Sequence, residues 1–256
     1  MKFFDINSLN EEQKFALFYG IMLGDGCLSK YQTKDHGERF SVIITGCASD
    51  DLPFYEQVLT PLLKSFGRKS VSIKLRKDCG AIEINFPDKI LFDRINSYGF
   101  IIGKKGPKIN IPKCFYEKDL LRYIVAGFMA TDGSLVLTKN PNKYYPRIEG
   151  NGISETLIKQ IQEYFLSLGM NGAFYLAKRK NVNSKYNTQQ QYRFQFNGKD
   201  NLLKFNELVG FANPKHQKKF EDFLDYDTHY NRKIKGIPSQ EQRFVRLNIF
   251  SGWRGS

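Results

Sequence analysis

The alternation of apolar and polar positions divides the chain into two similar series of elements. An apolar helical segment ending in Asp-Gly occurs at 17–26 and again at 124–133. Each is followed by two strand-like stretches, a longer helix that stops before a glycine, two more strands and a short closing helix. The predicted strands are 27–34, 39–45, 71–77, 81–86, 134–139, 145–151, 174–179 and 190–197, and the predicted later helices are 52–66, 89–98, 155–168 and 200–209. The pattern predicts an α+β fold built from two αββαββα units.

Small residues recur at one spacing in both apolar helices. Gly20 and Gly24 lie four positions apart in the first helix, and Gly127 and Thr131 repeat this in the second. Small residues on one helix face allow two backbones to approach closely. If the two helices pack on each other, the acids that end them lie side by side. At the start of the first helix, the Ser-x-x-Glu spacing from residue 8 predicts a capping box with Ser8 as the N-cap.

Several predicted strands carry polar side chains on the face opposite the core. Valine, isoleucine and leucine alternate with serine, lysine and arginine in 71–76, and aromatic residues alternate with glutamine, arginine and asparagine in 191–197. Such side chains can bind phosphates and base edges. The predicted DNA-binding residues are Lys30, Arg39, Ser41, Thr45, Ser72, Lys74, Arg76, Asn85, Thr138, Arg147, Glu149, Asn151, Lys178, Gln191, Arg193, Gln195 and Asn197.

Composition narrows the functional classes. The formal net charge of +13 favours a polyanionic partner. An apolar fraction of 41% is ample for a packed core, and no apolar run is long enough for a membrane span. The four cysteines stand singly and the three histidines form no metal-binding pattern, so a zinc finger is not predicted and a reducing, intracellular setting is expected.

Two adjacent carboxylates in a basic protein favour a divalent cation. Mg²⁺ prefers oxygen ligands and is held by one or two carboxylates together with substrate phosphates, which suits attack on a phosphodiester. A glycosidase also uses paired carboxylates, but the high basicity and the single tryptophan, Trp253, disfavour it. A purely structural helix-ending role is less favoured because Asp25 and Asp132 occur in matched contexts.

The two segments resemble the motif of the LAGLIDADG homing endonucleases, in the form that carries two motifs in one chain. The residues are FYGIMLGDG at 18–26 and VAGFMATDG at 125–133, and the similar order of elements extends over about 10–220. The resemblance implies a pseudo-twofold monomer, with the two motif helices packed together and two antiparallel sheets forming a saddle on double-stranded DNA. It implies an intron-encoded, site-specific endonuclease that cleaves a long site across the minor groove.

The resemblance also implies roles for individual residues. Asp25 and Asp132 are the expected catalytic acids and metal ligands, and the carbonyls of Gly24 and Thr131 are expected to add ligation. A basic residue is expected near each scissile phosphate. Lys108 is the first choice in the first half, with Lys105 second, and Lys219 is the first choice in the second half, with Lys218 and Lys215 close behind. The expected cofactor is Mg²⁺, with Mn²⁺ as a substitute and Ca²⁺ binding without cleavage.

The sequence predicts a division into an N-terminal half at 1–110, a C-terminal half at 111–225 and an extension of unknown role at 226–256. Two alternatives stay open, an RNA maturase that would bind host intron RNA and a DNA-binding protein with an inactive site. An intein is not favoured by the chain ends. The expected location is intracellular, in an organelle or a prokaryotic cytoplasm.

Overall fold

Each half of the chain begins with an apolar helix and continues into a four-stranded sheet. A computed structural model describes residues 5–35, 37–76, 79–140, 143–177 and 190–234. The first half consists of α1 (Glu11–Asp25), β1 (Gly26–Thr33), β2 (Gly37–Cys47), α2 (Ala48–Phe54), a π-helical turn (Tyr55–Leu59), α3 (Thr60–Ser65), β3 (Lys74–Arg76), β4 (Ala81–Pro87) and α4 (Lys89–Ser97). The second consists of α5 (Cys114–Glu117), α6 (Leu121–Thr131), β5 (Gly133–Asn140), β6 (Lys143–Gly152), α7 (Glu155–Ser167), β7 (Gly172–Ala177), β8 (Gln191–Asn197), α8 (Lys199–Leu208) and α9 (Pro214–Ile234).

The two sheets have the same topology. Their strand orders are β1-β2-β4-β3 and β5-β6-β8-β7, and all neighbouring strands are antiparallel. In each sheet the apolar side chains of alternate positions face the helices, as with Val42 and Ile44 in β2 and Phe194 and Phe196 in β8, which are buried. The predicted α+β fold of two similar αββαββα units is therefore confirmed.

The two halves meet where α1 crosses α6. A Cβ atom added at Gly20 would lie 2.0 Å from the carbonyl oxygen of Ile124, and one added at Gly127 would lie 2.2 Å from that of Leu17. At Gly24 an added Cβ would lie 2.0 Å from the Thr131 hydroxyl oxygen. The predicted close approach of the two helices is confirmed, and glycine is required at Gly20 and Gly127 because the backbone of the partner helix occupies the space.

Both motif helices are apolar on every face because each is enclosed on all sides. Every residue from position 15 to position 23 of α1 and from position 124 to position 130 of α6 is buried. Aromatic rings from α1 and from the stretch between α4 and α6 pack together beside them, including Phe15, Tyr19, Tyr98 and Phe115. No helix in the described part of the chain combines the length and apolarity needed to cross a bilayer.

Two local predictions were wrong. The N-cap of α1 is Asn10 rather than Ser8, because the Asn10 side chain accepts from the Gln13 amide while the Gln13 side chain accepts from the Asn10 amide. Ser8 instead ends a preceding 3₁₀ turn. The basic segment 214–220, predicted as a loop, is the first part of the long helix α9, which begins after Asn213 and runs across the predicted domain boundary at 225.

We predict that Gly127→Ala destabilises the protein by at least about 1–3 kcal/mol, because a methyl group at this position forces the backbones of α1 and α6 apart. Urea unfolding followed by circular dichroism measures the change. The control is Glu207→Ala at an exposed position of α8, where a change within about 0.5 kcal/mol is expected. Equal stability of the Gly127→Ala variant and the parent would contradict the close contact between the helices.

Candidate active site and nucleic-acid interface

The two motif acids occupy equivalent turns from helix to strand. Asp25 is the last residue of α1 and Asp132 is the residue after α6, and β1 and β5 start at the next residue in each case. The turns are tight, since a Cβ at Gly26 or Gly133 would lie 2.5 Å from the Cα of Met22 or Met129. The Asp-Gly pair therefore places each carboxylate where a buried helix meets the first strand of its sheet.

The two carboxylates affect each other. Burial, followed by the negative charge of Asp132, raises the pKa of Asp25 to about 7. The pKa of Asp132 is also raised by desolvation, while Lys105 opposes this shift. Water reaches the outer side of Asp132, yet the two helix ends enclose the carboxylate enough to desolvate it. Two enclosed carboxylates with raised pKa values are typical of a functional site, here one that can bind a cation.

Lys105 is the basic residue whose charge acts on both acids. Its ammonium group donates to the carbonyl oxygens of Met22 and Leu23, at 3.1 and 3.0 Å, and to that of Gly24. These are carbonyls of the last turn of α1, where the helix dipole favours a cation. Burial lowers the pKa of Lys105 although Asp132 and Asp25 act in the opposite direction. The Gly24 carbonyl, predicted as a metal ligand, faces this ammonium group.

The second half places a neutral side chain at the equivalent position. The Asn213 side-chain amide donates at 2.7 Å to the carbonyl of Ala130, the α6 counterpart of Leu23. The nearby cation is Lys215, whose ammonium lies 2.6 Å from a carboxylate oxygen of Asp51 in α2. Both Lys215 and Asp51 influence the pKa of Asp25, and Lys105 is the lysine whose charge opposes the raised pKa of Asp132.

The structure therefore revises the choice of lysines. Lys108, the first choice from the sequence, is an exposed residue at the end of a 3₁₀ turn, whereas Lys105 reaches the acids. Lys219 donates at 3.3 Å to the Leu135 carbonyl in β5, and Lys218 forms an exposed ion pair with Asp222. Periodicity does not identify the lysine because both basic segments follow the regular elements of their halves.

His216 is not a candidate for proton transfer. It is buried in the first turn of α9, and its ring lies against Phe211. Burial and the charges of Lys215 and Lys219 lower its pKa to about 3, so the imidazole is neutral at physiological pH. The residue packs α9 against the second half rather than facing the acids.

The acids fit a divalent cation that binds substrate as well. Within the described ranges, no group of three or more histidine, cysteine, aspartate or glutamate side chains is arranged to hold a metal. The two carboxylates, whose pKa values are both raised, are the kind of oxygen ligand that Mg²⁺ prefers. They lie beside an open cleft of about 450 Å³ that is lined in part by Asp25, Thr45, Asp51 and Thr131. Water and phosphate oxygens would complete the ligand set.

The polar faces of both sheets point away from the helices. The register of paired strands places most of the predicted DNA-binding residues on these faces. In the first sheet they are Arg39, Ser41, Thr45, Lys74, Arg76 and Asn85, and in the second they are Thr138, Arg147, Glu149, Asn151, Gln191, Arg193, Gln195 and Asn197.

Four of the predicted interface residues are not exposed on a polar strand face within the described residues. Lys30 is a correction, because it pairs with Phe40 on the helix-facing side and forms an ion pair with Glu38 at 2.8 Å. Ser41 lies on the polar face but is only 4% exposed. Ser72 is exposed and precedes β3 rather than lying in it. Lys178 lies outside the described residues.

The polar face of the second sheet is linked by contacts between its own side chains. Arg193 donates at 2.6 Å to Asn151, and Glu149 contacts both Arg147, at 2.8 Å, and Gln195, at 3.1 Å. The contacts of Arg193 and Gln195 cross between β6 and β8, which are directly paired, whereas the Arg147–Glu149 contact lies within β6. They restrict the rotamers of the long side chains before any ligand binds.

Sequence reasoning did not select three exposed tyrosines on these faces. Tyr31 is opposite Arg39, Tyr145 is opposite Thr138 and Tyr175 is opposite Arg193. The strand alternation contained the signal, since each tyrosine lies in step with polar neighbours, but aromatic residues were assigned to the core. An exposed ring on a polar face can pack against sugars or bases.

Comparison with known proteins agrees with this arrangement. Residues 119–210 match the family model described as a LAGLIDADG-like domain. Among solved structures, the homing endonuclease I-DmoI is similar over 78% of this chain and 91% of its own, with a TM-score of 0.53 and 16% identity. The LAGLIDADG meganuclease I-AabMI, solved bound to uncleaved DNA, is similar over 94% of this chain and 98% of its own, with a TM-score of 0.51 and 13% identity.

Residues 119–210 thus match a LAGLIDADG-like domain, and the chain as a whole has the fold of the LAGLIDADG homing endonucleases. The resemblance seen in the two nine-residue motifs is confirmed.

Curated relatives from Methanocaldococcus jannaschii match nearly the whole chain but only a small part of themselves. A probable translation initiation factor IF-2 is 26% identical over 96% of this chain and 18% of its own length. The ATP-dependent DNA helicase Hel308 is 23% identical over 91% of this chain and 18% of its own length. A replication factor C small subunit is 23% identical over 95% of this chain and 12% of its own length. The chain therefore spans less than a fifth of the length of these relatives, and their three different names do not describe the shared segment.

We predict that Asp25→Asn stabilises the DNA-free, metal-free protein at pH 8 but has little effect at pH 4. The folded state raises the pKa of Asp25 to about 7 from an ordinary value of 3.8, so the folded state binds the proton more tightly than the unfolded state. Stability from this group is complete at low pH and is lost as pH rises towards 7. Asparagine removes that loss, which amounts to at least about 1 kcal/mol.

Urea unfolding at both pH values measures this effect in EDTA. The control is Asp93→Asn, which removes an exposed carboxylate paired with Lys89 on α4. An Asp25→Asn variant whose stability relative to the parent is the same at pH 4 and pH 8 would argue against the raised pKa.

Proposed function

We propose that the chain is a site-specific DNA endonuclease that hydrolyses one phosphodiester bond in each strand of a duplex. The observation that carries the proposal is the pairing of Asp25 and Asp132 at adjacent helix ends, each directly before the first strand of a polar-faced sheet. The I-DmoI structures, which were solved with DNA and Ca or Mn, and the DNA-bound I-AabMI structure support the same assignment.

A divalent cation bound between the two carboxylates would neutralise phosphate charge and activate water for the attack. The chain's own groups have distinct tasks beside it. Asp25 and Asp132 must lose their protons to bind a cation, and the raised pKa of Asp25 makes that step favourable only near or above pH 7. The Lys105 ammonium, fixed by three carbonyls, supplies positive charge to both acids and to the negative charge that develops on the phosphate.

The shape of the interface favours cleavage across the minor groove. A β-sheet face is wide enough to lie in the major groove, where base pairs are distinguishable. The acids lie together between two such faces, so they meet the duplex where the intervening groove is narrow and the two backbones are closest. Two sheets of about equal size, each spanning several base pairs, predict a long recognition site.

The remaining assignments are part of the same proposal. The two halves at 1–110 and 111–225 act as one monomer with pseudo-twofold symmetry, and each sheet reads one half-site. The net charge of +13 supplies the general attraction to DNA. Arg193 and its partner Asn151, together with Gln195, are the groups of the second sheet best placed to distinguish base pairs.

We predict that Asp25→Asn and Asp132→Asn each abolish double-strand cleavage and leave specific binding largely intact, because both carboxylates serve the same cation. A target is first selected from a random duplex library by binding in Ca²⁺. Cleavage is then measured in Mg²⁺ and binding in Ca²⁺, with Asp93→Asn as the control. Cleavage at the parental rate by either variant would remove that aspartate from the active site.

We predict that Lys105→Met slows the cutting of both strands by at least about tenfold, because the Lys105 charge acts on both acids. The matched variant Lys108→Met removes an exposed lysine from the same segment, and it should lose about one phosphate contact in the salt dependence of binding. Strand-resolved cleavage of an end-labelled duplex measures both. The reverse result would restore Lys108 as the catalytic lysine.

A further inference from the structure

The two halves provide unequal surroundings for their acids. At the end of α1 the charged Lys105 contacts the last carbonyls, whereas at the end of α6 the neutral Asn213 takes that place. The lysine near Asn213 is Lys215, and its ammonium lies 2.6 Å from Asp51, a first-half carboxylate that lines the same open cleft as Asp25. Within the described residues, a second lysine therefore approaches the site by crossing from the second half to the first.

Asp51 makes this crossing contact. It is 8% exposed and lies in the first turn of α2, where one carboxylate oxygen accepts from the Cys47 amide at 2.9 Å. The other oxygen contacts the Lys215 ammonium at 2.6 Å and the Asn213 amide at 3.5 Å. Asn213 also caps α9 by accepting from the Lys215 backbone amide at 3.0 Å. The carboxylate is thus fixed by its own helix and fixes the start of α9 in turn.

The corresponding position of the second half has no charge. Counted from the equivalent glycine, Gly152, the buried Leu157 takes the position of Asp51. The contact to the other half is made instead by the buried Ser154, the N-cap of α7, which donates at 2.5 Å to the carbonyl of Ile109 in the segment after α4. Each half therefore contacts the segment that follows α4 or α8 of the other half, but one contact is an ion pair and the other is a neutral hydrogen bond. Of these two contacts, the ion pair is the one that brings a lysine to a carboxylate lining the cleft of Asp25.

The Tyr55 hydroxyl gives an independent indication that polar groups meet at Asp51. It is buried, with the tyrosine only 1% exposed, and its oxygen has no hydrogen-bond partner within the described residues. A Cβ on Gly46 would lie 3.0 Å from Asp51 Oδ2 and 3.2 Å from the Tyr55 oxygen, so glycine keeps this space open beside both groups. Tyr55 is the first residue of the π-helical turn, and such turns are frequent at functional sites.

We propose that Asp51 is a positioning residue that holds Lys215 of the second half at Asp25 of the first half, so that one strand cut depends on this ion pair and the other does not. This inference rests on the proposed endonuclease function. The flexible side chain of Lys215 stays near Asp25 only when its rotamers are restricted. The Asp51 carboxylate restricts them, although its negative charge offsets part of the positive charge of the lysine. Lys105, fixed by carbonyls, needs no such partner.

The first experiment needs no DNA and tests the positioning alone. Full-length protein is treated briefly with an amine-acetylating reagent, and the modification of Lys215 is measured by peptide mass spectrometry. Asp51→Asn should increase the modification rate of Lys215 severalfold, while Lys218 and Lys219 keep their parental rates. Asp93→Asn is the matched control, since it breaks an Asp–Lys pair of the same 2.6 Å length elsewhere. An unchanged rate at Lys215 would overturn the proposal.

The second experiment measures the two strand cuts separately on the selected duplex in Mg²⁺. Asp51→Asn should slow one strand by about tenfold and the other by less than about twofold, so that nicked product accumulates. Lys215→Met should give the same bias, and the double variant should lose no more than either single variant because the two residues act as a unit. The Lys215→Met variant also keeps the test available if Asp51→Asn does not fold.

The outcomes separate the two proposals. A parent protein that cuts no duplex contradicts the endonuclease function, and the labelling result then decides the positioning of Lys215 by itself. A parent that cuts, with Asp51→Asn slowing both strands equally, overturns the positioning role and leaves the endonuclease function standing.

Discussion

The contact between the backbones of α1 and α6 is the constraint on which the rest of the structure depends. Gly20 and Gly127 leave no side chain between the helices, so each helix meets the carbonyl groups of the other. This closeness makes the two helix ends adjacent and brings Asp25 within the electrostatic influence of Asp132. It also encloses both helices, which explains their apolar faces all round. A wider crossing would separate the acids, and the site would lose its ability to share a cation.

Internal repetition of the fold does not make the site symmetric. The acids and the Asp-Gly turns are equivalent, as are the strand orders of the two sheets. The groups around the acids have diverged. Lys105 contacts the last carbonyls of α1 where Asn213 contacts those of α6, and the first half has Asp51 where the second half has the apolar Leu157. A single chain is thereby able to treat the two strands of an asymmetric target differently.

The sequence predicted those features that depend on periodicity and motif, and it failed where position depends on tertiary contacts. The strands and motif helices followed from alternation, from the small-residue spacing and from the resemblance. Lys30 was misplaced because the helix-facing side of β1 becomes polar near the sheet edge, where Phe40 and Glu38 meet it. Lys108 was preferred to Lys105 because the path of residues 103–108 is set by contact with α1, which no local pattern encodes. α9 was missed because its charged surface reads as a basic loop.

The internal pairing on the second sheet bears on how such a surface could read sequence. A net charge of +13 attracts any duplex, so attraction alone gives no discrimination. Glu149 already forms an ion pair with Arg147 and accepts from Gln195, and Arg193 donates to Asn151. A base pair that offers matching donors and acceptors replaces these contacts at little cost, whereas a mismatched pair leaves a polar group without a partner, which costs about 1–3 kcal/mol. The preformed contacts thus favour selectivity over affinity, because they reduce the gain from any match and leave the penalty for a mismatch undiminished.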